Sequence, residues 1–493
     1  MLMSDAPATQ LITLGLDLGT SAVKVVAVGF DDEVIGEGAA GFPTTSALPH
    51  QAEQTPSDWL HAVSSAMHTL GEAMARTRGS DWLERVAAIG LTGQLPTLVC
   101  LSGHGPVAPA ITWKDGRADA WAATRVDAER RAHMYARTGM PIDGRYLAPM
   151  LQFHFADHID ELKSILSAKD YLLFALTGLQ VTEPSTAAGY GVYDLREQCF
   201  SKDLCEFWSL SDSLLPRIQG SNSLAGSLSA AGAALLGLRV GIPVSTGAAD
   251  SVCAAYSMAG LDERIVSISF GSSTVVLGAS ATLRLDPSAR HLLTPHVADT
   301  WYGREMDLLA TGTGYRWLSE LFGWRDGQID SYAAGSVPGA NGLFFPPYLA
   351  GGEQGALWNP HLQGALFGLN LRHSRSDIAR AYLEGVFYEI RRCVEVLAET
   401  TPVESVRVSG NIVHSPSSTQ MLADVLQRAV GCVPDKSPAA IGAAVLARRI
   451  AGNGSRDDRR SAPSPRLIKP DQHCARAYAK LYQQYLARSA LCN

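Results

Sequence analysis

Residues Leu14–Val28 read L-G-L-D-L-G-T-S-A-V-K-V-V-A-V. Alternating apolar positions predict one strand, Asp17-Leu18-Gly19-Thr20-Ser21 a tight turn, and Val23–Val28 a second strand. Glycine at position 19 admits backbone torsions that a Cβ resists. Successive N–H groups in such a turn, with the Thr20 and Ser21 hydroxyls beside them, form an anion-binding concavity. Asp17 stands at its mouth, where a carboxylate can hold Mg²⁺ through water, and Lys24 adds a positive point charge. The same residues also suit a hairpin that binds nothing.

An internal echo separates these readings. Ile265–Leu277 reads I-V-S-I-S-F-G-S-S-T-V-V-L, again strand, small-residue turn, strand. Gly19 aligns with Gly271, Thr20 with Ser272 and Ser21 with Ser273, whereas Asp17 aligns with Ser269. The copies lie about half the chain apart, far beyond the periods of solenoid repeats. A duplicated domain with phosphate gripped by both turns is the implied organisation, with an acid for metal in the first copy alone.

The 493 residues exceed one ordinary core, so two domains are expected, divided at about 245–250. Hydrophobic residues at 46% against 18% charged give a soluble globular composition. A net charge of −7 without a dense Lys/Arg block argues against nucleic acid or anionic membrane as partners. The most basic patch, Arg456–Arg460, carries two aspartates and reads as a solvated loop. The eight cysteines form no C-x-x-C pair and no zinc spacing, which predicts reduced thiols in a cytosolic protein. Met1–Gln10 has no leader pattern, and no apolar run approaches a membrane span.

Helices are expected from Trp59 to Met74 (with Thr55 or Ser57 capping and Pro56 early) and from Ala118 to about Arg137. Others fall within Tyr146–Leu179, before Leu238, over Leu308–Phe322 and Ser374–Glu399, and at Thr419–Ala429, Ala439–Arg449 and Cys474–Arg488. Strands are expected at Val34–Gly36, Val86–Leu91, Thr97–Leu101, Ala110–Trp113, Val244–Thr246 and Val406–Ser409. Gly452–Pro465 reads as a loop.

Asp250 is the strongest candidate for chemistry. It follows an apolar strand and Gly247-Ala248-Ala249, whose small side chains leave room for a ligand. Phosphoryl transfer to an alcohol needs one carboxylate to accept the hydroxyl proton. The same aspartate also suits the N-cap of a helix beginning at Ser251. Gly410 with Asn411, and Ser437–Gly442, suit an adenine and ribose ledge or, equally, a turn with close helix packing. Gln94, Trp113, Asp115 and Arg117 lie near predicted strand ends and suit a polyhydroxylated ligand. His50 and His104 are given no metal role.

With these pieces in order the chain resembles the FGGY family of carbohydrate kinases, nearest its xylulokinase branch. The likeness rests on Gly15–Ser21 with Lys24, Gly90–Gln94, Pro109–Arg117, Lys169–Leu172, Gly247–Asp250 and Ser269–Ser273. It continues through Phe345–Leu349, Gly364–Leu369 and Ile441–Ala444. It implies an α/β, actin-like ATPase fold with two ribonuclease-H-like domains flanking an ATP/sugar cleft, here residues 1–247 and 248–493. By the resemblance Asp250 is the catalytic base, Asp17 the Mg²⁺-side carboxylate, and ATP the cofactor. Gly19, Thr20, Ser21, Lys24, Gly271, Ser272, Ser273, Gly312, Gly410 and Asn411 would hold ATP. Gln94, Leu95, Pro96, Trp113, Asp115 and Ser251 would face the substrate, and a homodimer stays open.

The sugar-side positions depart from the family pattern. Leu95-Pro96 stands for Met-His, Lys114 for Asn, and Ser251 for the Asn after the base. Ser409-Gly410-Asn411 replaces a triple glycine, and Ala350–Gly355 departs from S-G-E-R-T-P. The expected activity is ATP-dependent phosphorylation of a small ketose or polyol, with D-xylulose to D-xylulose 5-phosphate foremost. Another ketose or polyol such as ribulose or erythritol, a non-catalytic sugar- or nucleotide-binding regulator, and a plain ATPase are the alternatives.

Overall fold

The computed structural model describes residues 11–29, 32–325, 327–350, 353–451 and 465–492. Met1–Gln10, the basic patch Arg456–Arg460 and, apart from Pro465, the loop expected over Gly452–Pro465 lie outside the described residues.

The first hairpin forms as expected. Ile12–Leu18 pairs antiparallel with Ala22–Gly29, Asp17 opposite Lys24, and Ala22–Gly29 pairs antiparallel with Val34–Gly41. On its other side Ile12–Leu18 runs parallel to Val86–Gly93. The sheet continues through Pro243–Ser245 to Leu224–Ser227, with Ala248–Ala249 also on Val86–Gly93. Both inner strands are buried along their whole length, as expected of a sheet covered on both faces.

The echo folds the same way. Ile265–Phe270 pairs antiparallel with Thr274–Ser280 and parallel with Ser405–Gly410, which runs parallel to Ala429–Cys432. Tyr302–Leu308 borders Thr274–Ser280, and Leu292–Pro295 and Arg466–Ile468 complete the edges. Each sheet therefore has a hairpin whose first strand is the junction with a parallel partner: the ribonuclease-H-like arrangement, present twice.

The chain divides into two compact units, each built from more than one segment. The first comprises 1–257, 293–302 and 437–460; the second comprises 258–292, 303–436 and 461–493. Asp250 therefore belongs to the first unit. So does the helix Pro438–Ile450, for a steric reason. Its small residues let its backbone lie directly on the first sheet, where a Cβ at Gly15 or Gly90 would overlap the carbonyl oxygens of Ala440 or Ala443.

Helix boundaries follow local chemistry. Arg375–Ala398 begins in a capping box, Ser374 and Asp377 each binding the other's backbone N–H, which satisfies two otherwise orphaned donors. Pro56–Arg78 starts with Pro in its first turn; Thr55 occupies the cap position, but its side chain makes no capping bond. The segment expected to be one helix to Arg137 is two, Asp119–Ala123 and Ala128–Thr138, because the Asp127 side chain accepts from Arg130 N–H and restarts the helix. Among the described residues no helix is long and apolar enough to cross a membrane.

Candidate active site

In the first unit, sheet register brings three predicted residues into one row. Leu18 pairs with Gly93, and Gly93 with Ala249, all in parallel strands. The next residues on the three strands are Gly19, Gln94 and Asp250. Adjacent strands are about 4.8 Å apart, so the row spans about 10 Å. It lies at the carboxyl ends of the strands, where open α/β sheets bind ligands.

The Gly19 N–H is used within its turn, donating to Ala22 O at 3.1 Å. Thr20 is held by two side chains: its hydroxyl accepts from Trp113 Nε1 at 3.3 Å and its carbonyl from Gln54 Nε2 at 2.8 Å. Asp17 is buried, and its Oδ1 has no hydrogen-bond partner. Burial pushes its carboxyl up to about 6, against the opposing charge of Lys24. An orphaned, buried carboxylate oxygen fits a cation. No cluster of three or more His, Cys, Asp or Glu suited to a metal occurs among the described residues, so Mg²⁺ there would complete its shell with water and phosphate oxygens.

Gln94 is buried, donating to Gln54 Oε1 at 2.7 Å, while its own Oε1 lacks a partner. Gln54 also accepts from Trp59 Nε1 at 3.0 Å; sequence reasoning missed it, although it directly precedes the Thr-Pro helix start. Leu95 and Pro96 are half-buried, with Leu95 against Gly189, where a Cβ would collide with its side chain. Lys114 Nζ lies 5.2 Å from the centre of the Trp113 ring.

Asp115 does not present a free carboxylate to a sugar. It accepts from Ala52 N–H at 2.9 Å, from Arg117 N–H at 3.1 Å and from the Arg117 guanidinium at 2.6 Å. Burial alone would raise its carboxyl, but these hydrogen bonds and the Arg117 charge bring it below the ordinary value. Arg117 is held in turn by Glu53 Oε1 at 2.5 Å. Asp115 is thus an anchor for Arg117.

Asp250 is half-buried at the start of the helix Asp250–Ala259, and its Oδ1 accepts from Ser251 N–H at 2.8 Å. That bond is to the next residue, not to the N–H two or three residues on that an N-cap oxygen accepts. Gly247 is required by packing rather than as ligand space: its φ is +79°, and a Cβ would overlap Leu91 O. Sequence reasoning also missed the buried Glu183 and Ser185, whose hydroxyl accepts from Ala249 N–H at 2.9 Å. Lys169, quoted only within its motif, donates from Nζ to Asp170 at 2.7 Å and to Thr246 O at 3.0 Å.

In the second unit, Gly271 N–H closes on Ser273 O at 2.9 Å, and Thr313 donates to Ser272 O through its amide at 3.0 Å and its hydroxyl at 2.8 Å. Gly312 lies against Gly271, and Gly410 (φ +93°) against Phe270; a Cβ at either would overlap the facing carbonyl oxygen. Phe270 and Gly410 are register partners, so Gly271–Ser273, Gly312 and Gly410–Asn411 gather at one sheet end. Gly442 lies in the first unit, packed on Cys253 O. For Ser437–Gly442, close helix packing is what the structure shows.

Known proteins resemble this chain over most of its length. A xylulose kinase of Staphylococcus epidermidis is 28% identical over 446 residues, 88% of this chain and 87% of that protein. A Bacillus subtilis gluconokinase is 25% identical over 454 residues, 88% and 86% respectively. The crystal structure of a xylulose kinase from Rhodospirillum rubrum superposes with a TM-score of 0.85 at 29% identity, covering 97% of this chain and 98% of that one. Residues 12–257 match the N-terminal domain, and residues 266–451 the C-terminal domain, of the FGGY family of carbohydrate kinases. With both domains matched in order and the duplicated sheet present in each, the chain belongs to that family.

Proposed function

We propose that this sugar kinase transfers the γ-phosphoryl group of MgATP to a hydroxyl of a small ketose or polyol, D-xylulose foremost, and works in the cytoplasm. The row Gly19, Gln94, Asp250 carries the reading: it sets a phosphate turn, a polar sugar reader and a carboxylate on three neighbouring strands. Asp250 accepts the proton of the acceptor hydroxyl while that oxygen bonds the γ-phosphorus and the bond to the β-phosphate oxygen breaks. Gln94 Oε1, buried and without a protein partner, is available to a substrate hydroxyl, and Trp113, bonded to the Thr20 hydroxyl, is the aromatic of the sugar site. The turn Gly19–Ser21 with Lys24, and in the other unit Gly271–Ser273 with Gly312, Gly410 and Asn411, bind the nucleotide. Asp17, with its unpartnered buried oxygen, would hold Mg²⁺. Mg²⁺, when bound, neutralises charge on the phosphate oxygens.

The xylulose kinases among the relatives support the foremost substrate, while the gluconokinase and the half-buried Leu95-Pro96 pair, standing where the branch has Met-His, keep other sugars in play. A site that loses a polar contact changes its discrimination strongly. The test is ADP release by purified protein with MgATP across D-xylulose, L-xylulose, D-ribulose, L-ribulose, glycerol, erythritol and gluconate. Strong stimulation by D-xylulose is expected. Stimulation only by another member reassigns the substrate, and bound ATP with no stimulation favours a regulator. Asp250→Ala is expected to keep MgATP binding and to lose at least ~10²-fold in turnover; turnover near wild type rejects the base assignment.

A further inference from the structure

The strand that delivers Asp250 is only two residues long, Ala248–Ala249, paired on one side with Thr92 and Gly93. On its other side the Ala249 N–H donates to Ser185 Oγ at 2.9 Å. Ser185 and Glu183 are fully buried. The Ser185 hydroxyl lies 2.9 and 2.8 Å from the two carboxylate oxygens of Glu183. Glu183 also accepts from Ser185 N–H at 2.8 Å, Thr186 N–H at 2.8 Å and Ser221 Oγ at 2.9 Å.

A hydroxyl can rotate and offer either its proton or a lone pair. Glu183, ringed by donors, accepts a hydrogen bond from the Ser185 hydroxyl, which leaves an Oγ lone pair turned towards the Ala249 N–H. Behind the same segment, Lys169 Nζ bonds Thr246 O, and Gly247 presses on Leu91. The Ala248–Ala249 peptide, one residue before Asp250, is thereby held at both ends: its N–H by Ser185 Oγ and its carbonyl by the Thr92 hydroxyl, which donates to Ala248 O at 2.7 Å.

We propose that Glu183 is a positioning residue for Asp250, acting through the Ser185 hydroxyl and the Ala249 amide. This rests on Asp250 being the base, as proposed above. Glu183→Gln is nearly isosteric, but places an amide donor among donors and frees the Ser185 rotor. Ser185→Ala deletes the relay atom.

Both variants are made in the wild-type and Asp250→Ala backgrounds. D-xylulose is the acceptor, or the panel compound with greatest ADP release if that is another. kcat and both KM values are measured for the single variants, and single-turnover transfer of labelled γ-phosphate in the Asp250→Ala background. MgATP binding is measured by calorimetry throughout. Each single variant is expected to lose about 10-fold in kcat, within the reach of small misplacements of a reacting group, with both KM values within about twofold. In the Asp250→Ala background neither adds a further loss. A repeated loss in that background, or an unchanged kcat in Ser185→Ala, overturns the positioning role and leaves the base assignment standing. Near-wild-type turnover in Asp250→Ala alone overturns both. If Glu183→Gln does not fold, Ser185→Ala decides.

Discussion

The buried carboxylate of Asp17 makes a prediction about stability that is separate from turnover. Its carboxyl is moved from 3.8 to about 6, chiefly by burial, and one of its oxygens has no partner. Holding the charge at neutral pH therefore costs the ligand-free protein about 3 kcal/mol, at about 1.4 kcal/mol for each pH unit of displacement. The sign follows from proton counts. Between pH 3.8 and about 6 the folded state keeps a proton that the unfolded chain has released, so stability falls as pH rises through that window. Below it the penalty is absent; above it the penalty is complete.

Asp17→Asn removes the charge and keeps the shape. Without nucleotide, the variant should match wild type near pH 4 and exceed it by about 3 kcal/mol at pH 8. At about 2 °C per kcal/mol for a domain of this size, that is a rise of about 6 °C in Tm. The assay is thermal unfolding from pH 4 to 8, with and without MgATP. MgATP should stabilise wild type by mass action and the variant much less, because the carboxylate that answers the cation is gone. A variant no more stable than wild type at pH 8 without ligand would refute the burial argument. Equal stabilisation of both proteins by MgATP would refute the metal role.

Gly90→Ala pushes a methyl into the Ala443 carbonyl, and overpacking of this kind is expected to destabilise by about 2 kcal/mol; an unchanged urea midpoint would contradict the close seat of Pro438–Ile450 on the first sheet. Gly312→Ala pushes a methyl into Gly271 O and should distort the second turn, raising KM for ATP about tenfold, or ~1.4 kcal/mol, with KM for the sugar within about twofold. Steady-state kinetics in both substrates separate that outcome from a general loss of fold, which would lower kcat without singling out ATP.

What the sequence showed and what it hid divide along contact range. The two hairpins were legible because a strand, a glycine turn and a strand are written in adjacent residues, and the echo at Gly271 repeated the pattern. Strand order could not be read that way, yet it is the order that puts Gln94 between Gly19 and Asp250. The partners of Asp115 were hidden for a local reason. Arg117, two residues on, folds back and fills its oxygens, so proximity to a predicted ligand site carried no information about which partner would win. Gln54, Glu183 and Ser185 act through partners up to 64 residues away, and polar residues of these types between predicted elements resemble loop residues.

The placement of Pro438–Ile450 in the first unit was hidden by chain order, but not wholly. Its run P-A-A-I-G-A-A-V has a helix's apolar face and almost no side-chain bulk, and the first sheet offers Gly15 and Gly90 in register with one another. Two glycines facing each other across parallel strands open a channel that only a slim helix can enter, and this segment is slim. The same small residues suggested an adenine ledge, because absence of bulk admits a base and a backbone alike. What separates the two cases is a partner whose carbonyl already occupies the space. Cys253 O faces Gly442 in this way. Gly410 is likewise filled by Phe270 O, yet it ends a strand beside Asn411, which is exposed. Of the two glycines only Gly410 therefore keeps an exposed neighbour, and this supports the nucleotide role proposed for Gly410 and Asn411.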